Sequence, residues 1–297
     1  MTSRRLLTAT VLAGLALVAT ACGSTGDEAV VDGSPSTAAD GATFPADTFS
    51  IVANADIGVG RSRVLFGVLE GGGRRLGSPQ DRVRISVSHT DRPGEVQTTD
   101  AVFTWIIEDA FGLYRAEFDL DSPGLWRAVV NPAVGDPLPP TGFNVLADTS
   151  APDVGEPAPR PPTPTAGDFP MAEITTDSDP DPRFYELSLD EAIGNGRKTV
   201  VVFSTPAFCQ TATCGPLLDI VKMTAAGHLD VDFVHVEVYT NLTDPDFAPV
   251  PQNLAPSVLE DWWNLPSEPW VFVVDETGVV QARFEGVMAA EELDAEL

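Results

Sequence analysis

Cys209 and Cys214 stand five positions apart, between a continuous apolar run and a helix-patterned one, and the only other cysteine is Cys22. The nucleophile in thiol–disulfide exchange is the thiolate, and an unperturbed thiol with a pKa of about 8.5 supplies little of it at neutral pH. A helix N-terminus favours the anion through its unpaired N–H groups and partial positive charge. Gly215-Pro216 marks where such a helix begins, because proline suits the first helical position and kinks an interior. Cys214 is therefore expected at the helix start, with Cys209 in the loop above it. A continuous helix would set the pair about 140° apart, too divergent for an easy disulfide.

The elements that must position the pair follow from the pattern around it. TVVVFST (199–205) is a run of the kind buried on both faces of a sheet. LLDIVKMTAA has Leu217, Ile220, Val221 and Thr224 at helical spacing. Upstream, Ser188 and Glu191 fit a capping box that opens a short helix stopping near Gly194–Gly196. VDFVHVEVY (231–239) predicts a second buried strand, and PSVLEDWW (256–263) predicts a helix in which Trp262 and Trp263 pack. After Glu268-Pro269, WVFVVD and VVQARFEG predict a hairpin around Glu276-Thr277-Gly278, and AAEELDAEL predicts a closing helix. The order is β–α–β followed by α–β–β–α.

VVVFSTPAFCQTATCGP followed by EPWVFVVDETGVVQARFEG resembles the thioredoxin superfamily, specifically exported lipoproteins with a C-terminal thioredoxin-like domain. The resemblance covers residues 183–297 and implies an α/β thioredoxin-like fold there. It implies a redox-active pair at Cys209 and Cys214, and a cis proline against the dithiol at Pro269. A substrate groove would be shaped by Pro269, Glu268, Phe208 and Trp270, the two aromatics being equally readable as core. The chain departs from the family in two places: four residues rather than two separate the cysteines, and a charged Glu268 precedes the proline. By distance from Phe203, Cys209 matches the family's attacking cysteine, whereas Cys214-Gly215-Pro216 echoes the familiar Cys-Gly-Pro. The reading favours Cys209 as nucleophile and Cys214 as resolving thiol.

The functional expectation is a membrane-anchored, extracytoplasmic thiol–disulfide oxidoreductase acting on protein thiols and disulfides, with no organic cofactor and no metal. The alternative is a non-catalytic binding lipoprotein whose disulfide is a staple. A loop of six residues gains only about 2 kcal/mol from closure, against about 4.7 for a hundred-residue loop, so a stabilising staple would more naturally join distant segments. A copper chaperone on this fold would recruit His235, but a mid-strand histidine fits a buried, hydrogen-bonded one better. A peroxiredoxin would place Thr or Ser three residues before the peroxidatic cysteine, where this chain has Pro206.

The rest of the 297-residue chain addresses and spaces this unit. Residues 1–21 read as a lipoprotein signal peptide: Arg4 and Arg5 precede an apolar stretch from Leu6 to Val18, and Ala19-Thr20-Ala21-Cys22 resembles a lipobox with Cys22 as the lipidation site. Residues 22–47 are small, polar and acidic, the composition of a flexible tether. Between 48 and 147 the period is two; Val83, Ile85 and Val87 alternate with Arg84, Ser86 and Ser88. Gly/Asp/Pro turns between such runs predict an all-β, immunoglobulin-like sandwich with Trp126 as core anchor and His89 solvated. Residues 148–182 hold nine prolines and eight acidic residues against one Arg160, and are expected to be a semi-rigid linker. A formal net charge of −27 argues against a nucleic-acid partner, which needs a basic footprint.

Overall fold

The period-two alternation is realised as strands, but these strands join one sheet instead of two. The computed structural model describes residues 43–209 and 211–297. The expected signal peptide, the expected lipidation site Cys22 and nearly all of the expected tether lie outside the described residues. Eight strands run in sequence: β1 (Phe49–Val52), β2 (Gly60–Leu69), β3 (Arg75–Leu76), β4 (Val83–His89), β5 (Gln97–Ile107), β6 (Phe111–Leu120), β7 (Gly124–Pro132) and β8 (Thr141–Val145). They pair antiparallel in the order β1-β2-β6-β5-β4-β7-β8, with β3 beside β2. The two ends of the sheet are drawn together through residues 57–59: Gly58 bridges Leu146, whose N–H donates to the Ile57 carbonyl at 2.8 Å.

The result is a nearly closed antiparallel barrel, and it corrects the expected sandwich. Sandwich and barrel both bury one face of each strand, so alternation alone does not separate them. Closure hides edge backbone groups that an open sheet would leave unpaired. One core fills the inside, with Phe66, Ile85, Tyr114, Trp126 and Val130 among its members. His89 also differs from expectation. It is buried edge-on against Trp126, with ring centroids 5.5 Å apart, and its Nδ1 accepts the Asp91 N–H at 3.2 Å.

A second, four-stranded sheet contains β9 (Thr199–Ser204), β10 (Asp232–Glu237), β11 (Trp270–Val274) and β12 (Val280–Glu285). Its order is β10-β9-β11-β12, with β9 and β10 parallel and the other pairs antiparallel. Because side chains alternate along β9, Val200 and Val202 join a cluster with Leu217, Leu218 and Val221. Val201 and Phe203 join the opposite cluster with Trp263, Trp270 and Phe272. Among the described residues the α-helices are α1 (Met171–Ile174), α2 (Leu189–Ala192), α3 (Cys214–Ala225) and α4 (Ala290–Asp294), of which only α3 exceeds five residues. The Ser188/Glu191 capping box at α2 is present.

The α/β thioredoxin-like class expected for residues 183–297 is overturned by this scarcity of helix. The chain is mostly β, dominated by the barrel-like sheet. The helix expected over 256–263 is a single 3-10 turn at Pro256–Val258. Beyond it the backbone doubles back: Leu265 N–H donates to the Val258 carbonyl at 3.0 Å, and Asn264 adopts φ 46°. That turn buries Trp263 against Phe203 and Phe272, at 5.0 and 4.6 Å between centroids. The break comes at Leu259, which is extended (φ −83°, ψ 173°); Pro256 sits at the first position of the turn, where proline is tolerated. Extended chain therefore covers the face that helices would cover in a layered α/β fold.

The proline-rich segment 148–182 supplies part of that cover. Gly155 and Ala158 donate to the carbonyls of Val280 and Gly278, both at 2.9 Å. Thr176 N–H reaches Glu237 Oε2 at 2.8 Å. The expected spacer is thus laid along the second sheet. The described residues belong to one compact unit, and the two sheets meet directly through Arg283, Asp56 and Glu285. Arg283 Nη2 donates to Asp56 Oδ2 at 2.7 Å, while Glu285 accepts the N–H of Ala55 at 2.7 Å and of Asp56 at 3.2 Å. Among the described residues, no helix is long and apolar enough to cross a membrane.

Candidate functional site

β9 delivers the chain to its C-terminal edge, where residues 205–208 turn outward and α3 turns back under the sheet. Cys209 lies in the intervening loop and Cys214 is the first residue of α3. The two are joined as a disulfide with Cα atoms 5.9 Å apart. Their surroundings differ. Cys214 is fully buried beneath the helix, while Cys209 is half-buried at the surface. The Cys214 N–H donates to Cys209 Sγ at 3.3 Å, and the Thr211 hydroxyl lies 3.2 Å from the same sulfur. The Thr213 hydroxyl stands 4.0 Å away and is tied to Thr211 at 2.7 Å. An orphan amide of the helix start and a hydroxyl therefore converge on one sulfur, an environment that favours a thiolate there when the bond opens.

Across from the disulfide, the peptide between Glu268 and Pro269 is cis, and the Pro269 carbonyl accepts the Gly286 N–H at 2.9 Å. A Glu268 carboxylate oxygen and the two sulfurs all lie within 4.8 Å of one another. Glu268 Oε2 is buried with no hydrogen-bond partner. Burial pushes the Glu268 carboxyl above its ordinary range; the nearby Thr205 hydroxyl favours the charged form without completing a geometrically sound hydrogen bond. Glu237 is buried on β10 and accepts from the Thr176 N–H at 2.8 Å and from its hydroxyl at 3.1 Å. Burial raises Glu237 to about 7 against the pull of those hydrogen bonds, and the charge of Glu268 pushes it further the same way.

His235 does not join the cysteines. Its Nδ1 lies 2.8 Å from the Tyr185 hydroxyl, and its Nε2 lies 2.9 Å from the Ser204 hydroxyl and 3.1 Å from the Ser204 carbonyl. Both ring nitrogens are engaged, and burial lowers its pKa to about 4. Among the described residues, the group of side chains able to hold a metal is Cys209, Cys214 and Glu268.

The expected groove residues separate. Phe208 is half-buried and packs on Phe247, with centroids 4.7 Å apart; Phe247 in turn meets Tyr239 at 6.1 Å. Trp270, in contrast, is fully buried, stacked on Phe272 at 5.4 Å with its Nε1 donating to Ser267 Oγ at 3.2 Å. It is core, and the groove reading of Trp270 is corrected. Sequence reasoning did not single out Thr205, Thr176 or Phe247, which arrive from separate loops. Glu237 carried a legible signal, a carboxylate inside an otherwise apolar strand run. A cleft of about 410 Å³ opens at the sheet junction, lined by Asp56, Arg63, Arg283 and Glu285; it contains none of the cysteine-site residues.

No protein-family model matches the chain, and no curated protein resembles it significantly.

Proposed function

We propose that this chain is a thiol–disulfide oxidoreductase of the extracytoplasmic space, held at the membrane by lipid on Cys22 and exchanging disulfides with proteins through Cys209 and Cys214. The observation that carries this reading is the asymmetry of the pair: a half-exposed Cys209 sulfur that receives an α3 amide, over a fully buried Cys214. In the reducing direction, the Cys209 thiolate attacks a substrate disulfide, forming a mixed disulfide and releasing one substrate thiolate. The Cys214 thiolate then attacks Cys209 Sγ, closes the Cys209–Cys214 bond and releases the second substrate thiolate. Two electrons pass to the substrate, and the same steps run backwards oxidise a substrate dithiol. Phe208 and Phe247 offer the apolar contact beside the attacking sulfur.

Single-cysteine trapping tests the assignment in a Cys22→Ser background. Cys214→Ser is expected to accumulate mixed disulfides with substrate proteins, because the attacking thiol remains and the resolving one is gone. Accumulation only in Cys209→Ser would reverse the roles. Absence of trapping in both, with no insulin reduction above the double variant, would reject the reading.

A further inference from the structure

We propose that the reduced form of this site binds a borderline-soft divalent cation, zinc(II) being the type case, through Cys209 Sγ, Cys214 Sγ and a carboxylate oxygen of Glu268. The inference deepens the functional reading above and rests on it, because the sulfurs are free to act as ligands only after the disulfide is reduced. The three donor atoms come from the loop after β9, the start of α3 and the second residue before β11, and they lie within 4.8 Å of one another. Tetrahedral zinc with bonds of about 2.3 Å to sulfur and about 2.0–2.2 Å to oxygen needs neighbouring donors about 3.5–3.8 Å apart. Opening the S–S bond moves the sulfurs apart, towards that spacing.

Glu268 is the second, independent pointer. A buried carboxylate oxygen without a partner is costly, and such groups call for an explanation. Glu268 Oε2 is in this condition, and a carboxylate oxygen of the same side chain lies beside the two sulfurs. A cation bound there satisfies the oxygen and neutralises the charge. Two thiolates select against calcium and magnesium, which take oxygen donors, and the carboxylate makes a third ligand for zinc. Three protein ligands leave a fourth position open, as in zinc sites that exchange a ligand with solvent or substrate. His235 is not part of this set, since both its nitrogens are held by Tyr185 and Ser204. The half-exposed Cys209 gives the ion its entry side.

The consequence is a site that carries either a disulfide or a cation. A protein disulfide that oxidises the pair accepts two electrons and leaves as two thiolates. The Cys209–Cys214 bond forms and the ion is released.

The test uses the full chain with Cys22→Ser, reduced with dithiothreitol and desalted without oxygen. Thiols are counted first, then zinc(II) is added and its affinity measured by competition with a chromogenic chelator. Two thiols and one zinc per chain are expected in the reduced protein, and none bound by the disulfide form. Glu268→Gln, checked for intact folding by circular dichroism, is expected to weaken binding about tenfold or more. Cobalt(II) substitution is expected to give the intense thiolate charge-transfer and tetrahedral visible bands. Two free thiols without zinc would overturn this inference and leave the exchange reading standing, whereas a pair that resists reduction overturns both. Undiminished affinity in Glu268→Gln would show a two-thiolate site and overturn the assignment of the third ligand.

Discussion

The junction between the two sheets and the cysteine end of β9 both take acidic side chains out of water, and the chain provides for them in opposite ways. At the junction, Asp56 accepts from Arg283, from the Ser150 N–H at 2.7 Å and from the Ala151 N–H at 3.1 Å. Glu285 is also saturated, by two backbone N–H groups and the Ser267 hydroxyl. At the cysteine end, Glu268 keeps an oxygen without a partner, and Glu237 is held by Thr176 with burial raising its pKa. Pairing fixes geometry, whereas an unpaired buried acid is free to change its protonation or take a ligand. The first arrangement belongs to architecture and the second to chemistry.

The comparison breaks most sharply at the junction. Removing one partner of a buried ion pair strands the other, at a cost of about 3–5 kcal/mol. Asp56→Ala removes the closer carboxylate of Arg283, leaving the longer contact to Asp153 at 3.7 Å, and strips two backbone N–H groups of their acceptors. A fall of that size in urea denaturation is expected, while the Cys209–Cys214 disulfide stays formed. A loss below about 1 kcal/mol would mean that the sheets do not depend on this contact.

This junction also marks where the sequence stopped being informative. The cysteine loop, the α3 start and the α2 capping box depend on residues within a few positions of one another, so residue type and spacing announced them. Asp56 and Arg283 stand 227 positions apart, and nothing local at either reveals the other. The prolines of 148–182 were legible as a barrier to helix, but not the docking of that segment through Gly155, Ala158 and Thr176. Strand alternation in 49–145 located the buried face, yet closure through Gly58 and Leu146 is a property of the whole sheet. Glu268 stood out only as an unusual charge before a proline; its proximity to both sulfurs required β11 to lie beside β9.

Next in size is a pH effect centred on His235, which separates structural burial from the acidic groups of the site. Its folded pKa is lowered to about 4 from an unfolded value of 6.5. The unfolded chain therefore binds the extra proton first, and stability is lost as pH falls from about 6.5 towards 4. At 1.36 kcal/mol per pKa unit the loss is on the order of 3 kcal/mol. Glu237 acts in the opposite sense, being raised from 4.5 to about 7, so stability falls as pH rises through that window. The two slopes oppose each other in the wild type between about pH 4.5 and 6.5. His235→Gln removes one of them, and its stability relative to wild type is expected to improve by up to about 3 kcal/mol between pH 7 and 4. A pH-independent difference would show that His235 takes up its proton at the same pH in the folded and unfolded chain, against the burial seen here.

The smallest expected effect bears most directly on what the disulfide is for. Closing a loop as short as 209–214 restricts the unfolded chain little, and its chain-entropy contribution is about 2 kcal/mol. The paired substitution of Cys209 and Cys214 by serine is thus expected to lower stability by no more than that, below the loss from Asp56→Ala. The far-UV spectrum and the cooperativity of unfolding should be kept, with exchange activity abolished. The size ordering is the informative part. A structural bond in an exported chain would be expected to rival the buried ion pair in its effect on stability. A disulfide at a helix start, one sulfur half-exposed and both beside an unsatisfied carboxylate, is placed where it can be opened. If its removal costs as much as breaking the junction, the bond is a staple and the exchange reading loses its main support.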